Sequence, residues 1–211
     1  MDNSTIILMN IRQYKKDKIK GIDGRLGNKI HLTLSGFNQQ TLIPTTSIVD
    51  SINCLPDSHL SGLKTIEYDP KRSNLLPHVI TRLFHKSPPC CKGVFLQRKR
   101  KIVIYDFHSK PMFYHILFHE IGHFVYFLVL TPKLKKQWVT QMHLSDDHLT
   151  EIAAHNAAED FAECYALYKT NKALLKQSPI KYAFIHQFIF ECDIQNDNNR
   201  YFDGILIDKS F

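Results

Sequence analysis

The sequence predicts an α+β domain in which a small mixed sheet comes first and a helical half follows. Three observations carry that expectation. Short β-rich runs separated by Gly and Pro fill much of residues 1–110. An apolar run of helix length follows at residues 112–130, and the remainder is rich in Ala, Glu and Phe at helical spacing. A chain of 211 residues suits one well-cored domain. Residues 1–110 are expected as its sheet-containing lobe, and residues 111–211 as the long helix and a helical C-terminal lobe.

Residues 5–11 read as a short strand or a helix start, and residues 15–29 as a polar, Gly-punctuated connection. Residues 30–34 alternate apolar and polar side chains as a half-buried strand does. After Pro44, residues 45–54 suit a helix opened by a Thr or Ser cap and stopped before Pro56. Residues 63–68 (LKTIEY) form a further strand, closed by Asp69-Pro70, and residues 77–85 suit another short helix. The Ser87-Pro88-Pro89 turn leads into residues 93–96 and 101–107, two β-rich runs joined by a basic tip at 97–100, which is a hairpin pattern. Pro111 stands where a first-turn proline is tolerated. Past Thr131-Pro132, residues 133–142 read as a short amphipathic helix carrying Trp138, and 143–148 as a polar loop with solvated His143 and His148. A long helix at 149–169, an apolar helix at 179–190, a polar turn at 195–200 and a closing strand at 204–207 complete the chain.

Charge and cysteine usage narrow the partners. The formal charge is +7, but Lys and Arg are scattered, and the tip from Arg98 to Lys101 reads as a solvated turn without interleaved aromatics. No nucleic-acid partner is expected. The five cysteines (54, 90, 91, 164 and 192) form no C-x-x-C pair, which points to free thiols in a reducing compartment. The apolar patch near the N-terminus lacks a basic region before it, so no secretory signal is read. His115, His119, Glu120 and His123 interrupt the apolar run at 112–130, leaving only 124–130 clear, while a bilayer needs about 20 residues. A soluble monomer with no membrane span is the expectation.

Chemistry concentrates in that same run. His119-Glu120-Ile121-Gly122-His123 is an H-E-x-x-H sequence. On a helix, positions i and i+4 share a face, so two neutral imidazoles can grip one metal ion while Glu120 reaches a water beside it. Burying Glu120 with no partner would be costly, which argues against two satisfied core histidines beside a stray acid. A catalytic zinc takes three protein ligands. Tyr126 and Val129 stand where H-E-x-x-H-x-x-G-x-x-H would need Gly and a third His, so the remaining ligand lies elsewhere. Glu159 and Glu163 are four apart on the predicted helix at 149–169 and share one face. One can bind metal while the other accepts a hydrogen bond from a ligand imidazole. Asp160 points about 100° round that helix and is expected at the surface. His115, one turn before His119, is expected as a wall of the cleft or a core residue, with a place behind the metal ligands as the other reading.

H-E-I-G-H followed by Glu159-Asp160-Phe161-Ala162-Glu163 resembles the gluzincin-type catalytic domains of the anthrax lethal factor and Pro-Pro endopeptidase family. The resemblance covers roughly residues 60–170. It implies a zincin-like fold, His119, His123 and Glu159 as Zn2+ ligands, Glu120 as general base and Glu163 behind a ligand histidine. It further implies a zinc-dependent endopeptidase whose protein or peptide substrate lies along an edge strand, here residues 101–107. The likeness to a toxin domain adds a second possible setting, delivery into another cell as an effector. The family places a Tyr that supports the oxyanion at the position of Ile152. His155, Tyr165 and Tyr182 are the candidates to replace it. The alternative expectation is a catalytically weak or inactive zincin-like protein acting as a regulatory or interaction module.

Overall fold

The computed structural model describes residues 7–10, 31–71, 92–145 and 147–191. Expectations for 15–29, 77–85, the Ser87-Pro88-Pro89 turn, 195–200 and 204–207 lie outside them, as do Cys90, Cys91 and Cys192. Cys54 and Cys164 are free thiols.

Among the described residues, five strands form one mixed sheet: β1 (Ile7–Asn10), β2 (His31–Ser35), β3 (Thr65–Tyr68), β4 (Gly93–Leu96) and β5 (Lys101–Ile104). Their order across the sheet is β1-β2-β3-β5-β4. The central pairs are parallel and the two outer pairs antiparallel. Between β2 and β3 runs α1 (Thr45–Asn53), whose start rests on Pro44 with no side-chain cap, unlike the Thr or Ser cap expected. In β5, Ile102, Val103 and Ile104 are all fully buried, as suits a β-branched strand covered on both faces.

The hairpin forms as predicted, with Gly93 opposite Ile104 and Leu96 opposite Lys101. Its tip turns at Gln97–Lys99 and closes on Arg100 at φ 50°. The expected edge is corrected, however. β5 is hydrogen-bonded to β3 on one side and β4 on the other, so 101–104 has no free backbone for a peptide. The edge on this side of the sheet is β4.

Helix α2 (Lys110–Phe124) crosses beneath β4 and β5. Ser109 caps it by accepting from the Met112 N–H at 3.3 Å, and Pro111 sits in the first turn as anticipated. It continues into a π-helical turn, Val125–Val129, a wider winding often found beside functional sites. Phe113, Leu117, Ile121 and Phe124 are fully buried, and each such side chain contributes about 1.5–3 kcal/mol of hydrophobic stabilisation. By length and composition alone, Lys110–Val129 is one helix apolar enough to cross a membrane. Phe113, Leu117, Phe118, Ile121, Phe124 and Val125 pack inside the protein, while Phe127 and Leu128 stand exposed.

The helical half follows: α3 (Pro132–Gln137) running into a π turn at Trp138–Met142, α4 (Ala157–Thr170), α5 (Lys172–Leu175), and α6 (Pro179–Phe184) with a π turn at Ile185–Glu191. The long helix expected at 149–169 begins later. Asn156 takes an extended backbone and its side-chain oxygen accepts from the Ala158 and Glu159 N–H groups, both at 3.0 Å. Trp138, fully buried, donates its indole N–H to the Ala157 carbonyl at 2.9 Å and pins that start. α2 and α4 press together at Gly122, where an added Cβ would stand 2.8 Å from the Ala162 Cα. Only glycine allows this approach.

Candidate metal centre

The α2–α4 contact brings the distant parts of the motif together. One ligand atom from each of His119, His123 and Glu159 lies within 4.8 Å of the others, so the three can hold a metal ion. Glu159 Oε2 is 3.1 Å from His119 Nε2 and 3.3 Å from His123 Nε2. The Asn156 cap fixes the first turn of α4 and so fixes where Glu159 starts. The predicted trio is assembled.

Glu163, one turn further, is buried against the far side of the same histidine. Its Oε2 is 3.4 Å from His119 Nδ1, and its Oε1 accepts from His115 Nε2 at 2.8 Å. Holding Nδ1 with a carboxylate orients the ring so that Nε2 faces Glu159. His115 is therefore tied into the site through Glu163 rather than being only a wall. Thr170 Oγ1 stands 3.5 Å from the other nitrogen of His115.

Glu120 is buried under the edge strand. An added Cβ on Gly93 would stand 3.0 Å from Glu120 Oε1 and 2.9 Å from Ile116 Cγ2, so the carboxylate occupies space that a side chain at 93 would claim. Burial raises its pKa, while charged His123 and His119 and a hydrogen bond from the Phe95 backbone N–H pull the other way. Among the described residues Glu120 Oε2 has no hydrogen-bond partner, and neither has His123 Nδ1. Among the described residues, that carboxylate oxygen is left open beside three side chains that could hold a metal ion.

Electrostatics tie the trio together. Burial alone would lower the His119 pKa, yet hydrogen bonds to Glu159 and Glu163 and the charge of Glu120 push it up to about 10. Burial would raise Glu159 and Glu163, but the facing histidines hold Glu159 well below the usual carboxylate range and Glu163 down to about 2.

Two expectations are overturned beside this site. Asp160 is fully buried rather than at the surface, because α6 supplies Lys181 to meet it at 2.9 Å. His143 and His148 are not freely solvated: both face that same carboxylate. Among the candidates to replace the tyrosine missing at Ile152, Tyr165 is withdrawn, since its ring is buried and its hydroxyl is bonded to His59 Nδ1 at 2.9 Å. His155 is exposed at the 3-10 turn preceding α4. No family model, curated protein or solved structure matches this chain.

Proposed function

We propose that this chain is a zinc-dependent endopeptidase with a zincin-like catalytic core. The observation that carries the reading is the convergence of His119, His123 and Glu159 next to a buried, half-unpartnered Glu120. Two imidazoles and a carboxylate suit zinc. The separations of 3.1 and 3.3 Å suit it too, since ligands about 2.0–2.1 Å from a tetrahedral ion stand roughly 3.3 Å apart. Zinc bound there would polarise the scissile carbonyl and acidify a water.

The remaining steps belong to the chain. Glu120, biased by burial towards holding a proton, takes one from the attacking water and hands it to the leaving amine. Glu163 keeps His119 in one tautomer and orientation. An extended peptide adds to the outer edge of β4, whose Gly93 gives up its side-chain space to the Glu120 carboxylate. His155 is the candidate left nearest the ligand helix for the oxyanion.

A metal-holding module without turnover is the second reading, and the isoleucine at 152 together with the engagement of Tyr165 favours it. A diverse peptide pool incubated with zinc-loaded wild type, Glu120→Gln and His119→Ala separates the two, read by mass spectrometry with metal content in parallel. Cleavage is expected to fall by about 10²–10⁴-fold in Glu120→Gln with zinc retained. His119→Ala should lose cleavage and weaken zinc at this site. A folded, zinc-loaded wild type that cuts nothing leaves the second reading standing.

A further inference from the structure

One residue along α4 from Glu159, a separate histidine–carboxylate cluster forms around Asp160. We propose that His143, His148 and Asp160 bind a second divalent ion of the zinc class, fastening the loop at 143–148 to α4.

The donor set is again two imidazoles and one carboxylate, and one ligand atom from each lies within 4.8 Å of the others. His143 Nδ1 is 3.3 Å from Asp160 Oδ2. That is long for an N–H···O hydrogen bond, whose usual length is about 2.9–3.0 Å, but it matches the edge of a tetrahedral zinc site. His148 Nδ1 stands 3.9 Å from Asp160 Oδ1, beyond hydrogen-bond reach, and the two rings lie 5.0 Å apart. This His148 nitrogen is buried with no hydrogen-bond partner among the described residues. An imidazole nitrogen removed from water and left unpaired costs free energy, and a metal ion would remove that cost.

Lys181 does not fill the position. Its Nζ donates to Asp160 Oδ1 at 2.9 Å and to the Asp147 carbonyl at 2.5 Å. That leaves Oδ2 turned towards His143, in the way a carboxylate held on one oxygen presents the other to a metal. The cluster shares no ligand with the centre at His119, so it stands or falls separately from the peptidase reading.

His119 belongs to both of the other histidine–glutamate groups, so His119→Ala disables them together. Zinc content of this variant, measured after equilibration with Zn2+ and removal of loose metal, should be one equivalent. The variant carrying His143→Ala and His148→Ala as well should hold none, and a chelator should lower the Tm of the first protein but not the second. A folded His119→Ala protein without zinc overturns the proposal, and so does a triple variant that keeps it. Should the triple variant fail to fold, His119→Ala with His148→Gln changes one part-exposed ring. The visible spectrum of bound Co2+ must then shift or vanish, and an unchanged band overturns the site.

Discussion

Glu159 and Asp160 are neighbours on one helix, and each gathers two histidines, yet their surroundings differ in one respect. Asp160 meets a full ammonium at 2.9 Å, with Lys181 only 1 % exposed and Asp160 fully buried. Among the described residues, the ion-pair partners that face Glu159 are imidazoles. The consequence is visible in His119, held cationic up to about 10 because its carboxylate neighbours outweigh burial. Asp160 has its cation built in. Glu159 has none among the described residues, so His119 carries the charge, and a divalent ion can take over that role. The second arrangement also has Glu120 beside it, and the first has no counterpart. On the proposed readings, one cluster does chemistry and the other holds the fold.

The largest test breaks the built-in cation. Lys181→Met leaves Asp160 buried and uncompensated, which should cost about 3–5 kcal/mol in denaturant unfolding. Excess zinc should recover part of that loss if the neighbouring histidines bind it. A loss under about 1 kcal/mol would mean that Asp160 does not depend on Lys181.

A histidine with no carboxylate sharpens the contrast. His59 is fully buried, its Nε2 donating to the Ile189 carbonyl at 2.8 Å and its Nδ1 accepting a hydrogen bond from the Tyr165 hydroxyl. Burial lowers its pKa from 6.5 to about 4, against the pull of the Ile189 carbonyl. Because folding favours the neutral ring, the unfolded chain takes up the proton first. His59's share of stability is whole above pH 6.5 and is lost as pH falls towards about 4, an effect of about 3 kcal/mol. Urea midpoints of wild type and His59→Asn across that window should converge at the acid end. Parallel curves would rule out a neutral His59 as the cause.

The smallest effect lies behind the metal ligands. Glu163→Gln should weaken zinc at the His119 centre by about 10–100-fold, through the loosened His119 ring, and leave the cluster at Asp160 untouched. Competitive titration against a zinc indicator reads both. Equal weakening at the two places would show that Glu163 acts on the fold rather than on His119.

The motif helix, its Pro111 start, the hairpin and the shared faces of 119 with 123 and of 159 with 163 are readable because each depends on local spacing, whereas the meeting of those two faces is expected only from the family resemblance. Helical period puts His119 beside His123, and Glu159 one turn from Glu163, whatever the rest of the chain does. The misread features depend on partners distant in sequence. β5 looked like an edge because it ends before the motif helix, but its second neighbour, β3, comes from residues 65–68. Asp160 is expected at the surface because it points about 100° round the helix from Glu159, yet that helix is covered all round, from Asp160 through Tyr168. Lys181, which neutralises Asp160, lies on a different helix with no spacing rule to announce it. The late start of α4 had a local signal, Asn156, passed over for the Ala-rich sequence before it.

That shared helix has a consequence for how the chain can vary. Each α-helical residue turns the chain by about 100°, so Glu159 and Asp160 address two compartments by rotational phase alone. Gaining or losing a single amino acid between the Asn156 cap and Glu159 would turn both acids about 100° away from their rings. Neighbouring loops can change length freely; this one stretch of backbone has to keep count.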